Sequence, residues 1–209
     1  MMMTKRQFLT ALLAATCLLL TKPATVKADE FTDGAVKFIE TLADDAVQSL
    51  TAQNLEKKER IKRFRILLNQ NFAVDAIGRW VLGRYWRKAT KEEQAEYAVL
   101  FEDLIVATYV NRFEEFSGET LKVIKAISQN GKDAIVKSEI IRPAGQPPVR
   151  VDWRVRSPNG AYKIVDVLVE GVSMSQTQRS EFSSVIKREG GEIAGLLTAL
   201  RQKTAVLNE

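Results

Sequence analysis

The chain has 209 residues, with 31 Lys and Arg against 26 Asp and Glu, one cysteine and no histidine. Without histidine there is no Ser-His-Asp or Cys-His nucleophile, no zinc site of the usual kind, and no general base that titrates unaided near neutrality. Four basic residues (Lys5, Arg6, Lys22, Lys27) precede the first acidic one, Asp29; 31 less 4 leaves 27 against 26, so the net charge of +5 gives no argument for nucleic acid.

Residues 1–28 read as a secretory signal peptide: Lys5 and Arg6, an apolar run from Phe8 to Leu20, then Val26-Lys27-Ala28 as a small-residue cleavage point. The run is too short for a membrane span. Thr4-Lys5-Arg6-Gln7-Phe8-Leu9 resembles a twin-arginine export motif with Lys in place of the first Arg. Cys17 lies inside the apolar run, so the mature chain, 29–209, needs neither a disulfide nor a reducing compartment. Its length suits a single domain.

Helical spacing of Phe31, Val36, Ile39, Leu42, Ala46 and Leu50 predicts a first helix from Phe31 to about Ala52. A second runs from Arg60 to Phe72. Its basic face, Lys57 to Arg65, is either a solvated face or a contact for lipid head groups or acidic partners. Asp75 is placed to cap a short helix that ends at Gly83. Thr90 and Glu93 make a capping box for the longest helix, predicted to reach Ser117-Gly118.

The period then changes from helical to alternating. Strands are expected over Thr120–Ser128, Ala134–Arg142, Val149–Arg156 and Tyr162–Glu170, with hairpin turns at Asn130-Gly131 and Ser157-Pro158-Asn159-Gly160. On the third strand Val149, Val151, Trp153 and Val155 face one way, and Arg150, Asp152, Arg154 and Arg156 face water. Helices over Gln176–Arg188 and Ile193–Leu200 close the chain. The fold class is α+β: N-terminal helices and two C-terminal helices on a four-stranded antiparallel meander.

Phosphate-binding glycine loops, EF-hand loops and nucleophile elbows are missing from the sequence. Carboxylate doublets such as Asp44-Asp45 and Glu92-Glu93 point about 100° apart on a helix and form no paired site. Asp166 interrupts an apolar strand and reads as a structural carboxylate, with acid–base work as the alternative.

Three stretches carry a resemblance. They are Leu82-Gly83-Arg84-Tyr85-Trp86-Arg87-Lys88-Ala89-Thr90, then Thr108-Tyr109 with Arg112-Phe113, then Tyr162–Ser173 followed by Arg179-Ser180-Glu181-Phe182. In order and spacing the chain is similar to the MlaC family of periplasmic phospholipid-binding carriers, also called toluene-tolerance proteins. The second stretch and the run from Arg179 to Ile186 also resemble its hopanoid-associated HpnM branch. The resemblance implies an apolar cavity between helices and sheet that takes acyl tails. It implies a shuttle between an outer-membrane lipoprotein complex and an inner-membrane ABC transporter, with a phospholipid or hopanoid as cargo, no cofactor and no chemistry on the lipid. Such a carrier helps maintain outer-membrane lipid asymmetry.

The wall expected from the resemblance is Val149, Val151, Trp153 and Val155, with Val165, Val167 and Val169 beside them. Phe101, Ile105, Tyr109 and Phe113 stand across, and Trp80 closes one end. The same residues would serve a packed core. A small carboxylate enzyme and a ligand-free binding or assembly factor are the other readings.

Overall fold

The computed structural model describes residues 25–207 except 53 and 144. The proposed signal segment therefore lies outside the described residues as far as residue 24, Cys17 included. Helix α1 (Thr25–Leu50) is followed by α2 (Lys57–Asn71) and α3 (Val74–Leu82). A 3-10 turn at Gly83–Arg87 leads to α4 (Lys91–Tyr109). Strands β1 (Thr120–Gln129), β2 (Asp133–Ile141), β3 (Val149–Arg156), β4 (Lys163–Val169) and β5 (Val172–Ser173) form one antiparallel sheet in sequence order. Helices α5 (Met174–Arg188) and α6 (Ile193–Thr204) complete the helical layer.

The sheet has five strands, where alternation gives four. Two residues cannot show a period, and β5 is made by the turn before it: Glu170 and Gly171 both have positive φ, at 50° and 80°. Asn130 and Gly131, at 54° and 63°, turn the first hairpin in the same left-handed region.

The Thr90 box is formed in full, with the Thr90 hydroxyl accepting from Glu93 N–H and the Glu93 carboxylate accepting from Thr90 N–H. Asp75, by contrast, is not a cap. The residue before α3 is Ala73, and Asp75 lies inside the first turn, where it only complements the helix dipole. Helix α4 stops at Tyr109 and tightens into a 3-10 turn over Val110–Phe113. The Thr108 hydroxyl near that end bonds back to the Leu104 carbonyl, a local bond of the kind that bends helices.

Apolar residues gather in two clusters. One is helical: Leu82, Tyr97, Phe101, Leu104 and Val106 with Phe182, Ile186, Leu196 and Leu200. The other joins α1 to the sheet, with Ala35 and Ile39 on Ala134, Val136, Val155 and Ile164. Phe72 packs against both. Beside it, Ala73 N–H donates to the Ile164 carbonyl at 2.9 Å, which ties the α2–α3 corner to β4.

Candidate functional site

The candidate face begins with the alternation of β3. Val151 pairs with Ser138 on one side and Val169 on the other; Trp153 pairs with Val136 and Val167; Val155 pairs with Ala134 and Ile164. Paired residues share a face, so these side chains form one apolar surface. A bulge in β4 makes Val165 the extra residue and gives Ile164, fully buried, the place opposite Val155. Strict alternation back from Val169 misses that shift.

The surface holds one polar node. The Ser138 hydroxyl donates to the Val151 carbonyl at 2.7 Å and accepts from the Trp153 indole N–H at 2.9 Å. It fixes the indole against the strand. Ser138 follows Ala134 and Val136 at strand spacing, so its inward direction is readable, but its bond to Trp153 is not. Ser138→Ala should cost about 1–2 kcal/mol in urea unfolding, because it strands a part-buried indole N–H. An unchanged midpoint would leave the node without a role.

Helix α1 covers this face at its β1–β2 side. Ala35 and Ile39 therefore stand across from Val155. Phe101 does not: it stacks on Tyr97 at 5.7 Å and meets Phe182 edge-on at 6.3 Å, inside the helical cluster. Ile105 is half-buried against the same cluster. Phe113 packs on Phe64 at 5.8 Å. Tyr109 is 41% exposed and Trp80 45% exposed, with the Arg179 guanidinium 4.9 Å from the Trp80 ring. Val149, Val165, Val167 and Val169 are half-buried, while Val151 is buried. The structure thus brings the sheet residues together and places the helical ones in a second group.

The opposite face is drier than charge alone suggests. Asp152 is buried, its Oδ1 and the Arg154 Nε have no hydrogen-bond partner, and Lys137 stands 3.9 Å from Asp152. The stems of neighbouring Lys and Arg residues can cover such groups. Asp166 accepts four hydrogen bonds from Val167, Ser173 and Ser175, so its carboxylate is a structural node.

Two grooves open in the helical layer. One, of about 330 Å³, lies between α3 and α4 along Val74, Gly78, Arg79, Trp86, Tyr97 and Phe101. The other, of about 400 Å³, is lined by Ile61, Arg65, Leu100, Arg201 and Leu207. No group of carboxylates among the described residues is arranged to hold a metal ion, and no described helix is long and apolar enough to cross a membrane.

A family model described as MlaC protein matches residues 40–202. The chain is 20% identical over 208 residues to the intermembrane phospholipid transport system binding protein MlaC of Haemophilus influenzae, covering 96% of this chain and 94% of that one. It is 25% identical over 168 residues to the toluene tolerance protein ttg2D of Pseudomonas putida, covering 71% and 75%. Among solved structures it is similar to a phospholipid-binding protein from Ralstonia solanacearum, determined in complex with a phospholipid: TM-score 0.71, 22% identity, 83% of this chain and 98% of that one.

Proposed function

The chain belongs to the MlaC family, and on that premise we propose that it is a periplasmic carrier that encloses phospholipid acyl tails and moves lipid between the outer and inner membranes. The observation that supports this most directly is the continuous apolar face of β2, β3 and β4 under a separate helical layer, with one shared residue, Phe72, at the junction.

Two acyl tails carry roughly 30 methylenes, and leaving them in water would cost on the order of 25 kcal/mol. Enclosure is therefore required, not optional. Neither groove of the helical layer is lined by a residue of the sheet, so the tails need space that opens between the two clusters. The tails enter by parting the two clusters near Phe72. They then lie along Val149, Val151, Trp153, Val155, Val167 and Val169 on the sheet side, with Ile164 in the place that the bulge takes from Val165. Ile105, Tyr109 and Phe113 of α4 and its 3-10 turn form the helical side, while Phe101 stays in its stack between Tyr97 and Phe182. Trp80, on an exposed side of α3, is left out of this wall. The lipid leaves unaltered, received from an outer-membrane lipoprotein complex and passed to an inner-membrane ABC transporter.

Mass spectrometry of an organic extract from mature protein purified without detergent should return phospholipid at close to one molecule per chain. An empty protein would overturn the carrier reading, and a hopanoid would replace its cargo. Ile105→Asp should then reduce bound lipid severalfold while the circular dichroism spectrum is kept, because Ile105 is only half-buried and an ionised side chain there is tolerated better than at buried Val151.

A further inference from the structure

We infer that the corner where α3 runs into the Gly83–Arg87 turn, together with Arg179 of α5, docks on an anionic bilayer surface. The sequence from Arg79 to Lys88 holds four cations (Arg79, Arg84, Arg87, Lys88), no acidic residue, Tyr85, and two of the chain's three tryptophans, Trp80 and Trp86. The four cations and Trp80 are all exposed.

The fold arranges these residues as pairs. The Arg79 guanidinium lies 5.3 Å from the Trp86 ring centre, Arg84 lies 5.0 Å from Tyr85, and Arg179 lies 4.9 Å from Trp80. Arg179 arrives from a distant part of the chain, and its Nη1 donates to the Trp80 carbonyl at 2.9 Å. Gly83 leaves room for it: a Cβ there would fall 2.9 Å from Arg179 Nη2, and the guanidinium would have to shift. Stacking on a ring holds a guanidinium without cancelling its charge.

Helix α2 shows the contrast. Its Arg65 is paired with Glu102 and Asp103, and its Arg63 with Glu59. These two arginines are therefore neutralised, whereas among the described residues no ion pair forms at the α3 corner. The Tyr85 hydroxyl registers this: a hydrogen bond from Arg84 outweighs burial and lowers its pKa, and the charges of Arg84, Lys187 and Lys88 add to the effect. The acidic residues nearest the corner in sequence are Asp75, Glu92 and Glu93, with Glu181 beside Arg179 on α5; Asp75, Glu92 and Glu181 are exposed, while Glu93 is occupied by the Thr90 cap.

Exposed indole next to unneutralised guanidinium suits the head-group layer. Tryptophan settles at the depth where one end of a ring is apolar and the other wet, and arginine binds phosphate bidentately.

The test is co-sedimentation of the mature protein with vesicles of pure phosphatidylcholine and with vesicles that also contain phosphatidylglycerol. Binding is expected only to the anionic vesicles and should fall with salt. Each basic residue near an anionic surface strengthens partitioning about five-fold, so Arg87→Gln with Lys88→Gln should weaken it about 25-fold. Trp80→Phe should remove most of the blue shift in tryptophan emission on binding. As a control, Lys58→Gln with Lys62→Gln on α2 should change little; an equal loss would make net charge the cause and overturn the site. Equal sedimentation with both vesicle types would also overturn it. Binding to neither would do the same, and would assign the corner to an acidic protein partner.

Discussion

Asp166→Ala should destabilise the protein by about 4 kcal/mol and lower the thermal midpoint by roughly 8–16 °C. Asp166 is 7% exposed. Its Oδ1 accepts from Val167 N–H at 3.0 Å, Ser175 N–H at 3.2 Å and the Ser175 hydroxyl at 2.7 Å; its Oδ2 accepts from the Ser173 hydroxyl at 2.6 Å. Ser173 is also the N-cap of α5, accepting from Gln176 N–H at 3.1 Å. One carboxylate thus holds β4, β5 and the first turn of α5 together, and its charge complements the positive end of that helix. Alanine leaves four donors facing a gap. Water can satisfy some of them, which is why the expected loss is well below four full desolvation penalties. Asp166→Asn should lose about half as much, because the serine hydroxyls can turn to accept from its amide while the backbone N–H groups cannot. Urea unfolding of both variants decides it, and an alanine variant within about 1 kcal/mol of the parent would sink the assignment. A catalytic carboxylate predicts something else: turnover of a lipid ester that Asp166→Asn abolishes at unchanged stability.

Asp166 also shows what a sequence can and cannot reveal. A charged residue inside Ile164–Val169 is visibly out of place, and a structural carboxylate is the natural reading. Its partners come from a two-residue strand and a helix start that no periodicity reports. The β3 alternation, the Asn130-Gly131 turn and the Thr90 box were legible because each is decided within a few residues. The end of α4 and the register of β4 are less so: a back-bonded threonine and a bulge change them without changing composition. Least legible was which layer meets which. Helix α4 has a wide apolar face because it packs on α2, α3 and α6. That width announces several neighbours without naming them: Phe101 and Ile105 lie with the helical cluster, and the sheet's cover at Val155 is α1. The charged side of β3 is hard to read for a related reason. Alternation gives the direction of Asp152 but not the depth to which surrounding lysine and arginine stems bury it.

Arg60→Met should cost about 3 kcal/mol, although the sequence places Arg60 among exposed lysines on a basic helix face. It is 7% exposed. Its Nε donates to the Leu50 carbonyl at 3.2 Å and its Nη2 to the Leu55 carbonyl at 3.1 Å. Helix α1 has no basic residue in its last turn. Arg60 supplies from α2 the cation that the negative end of α1 lacks, and Arg63 Nη1 adds a bond to Ser49 O at 3.1 Å. Methionine keeps most of the apolar stem, so the loss isolates the two bonds and the charge. No buried counter-ion is stranded: Glu114, 3.5 Å from Arg60 Nη1, is 62% exposed and contributes little. Arg60→Lys should recover roughly half the loss, since one ammonium keeps the charge without the fork that reaches both carbonyls. Because α1 carries Ala35 and Ile39 onto the sheet, amide exchange should quicken along α1 before it does in the helical cluster. A solvated arginine would cost less than about 0.5 kcal/mol and leave α1 exchange unchanged. That result would return Arg60 to the surface and leave the α1 C-terminus held by Arg63 and by the Thr51 bonds to the Val47 carbonyl.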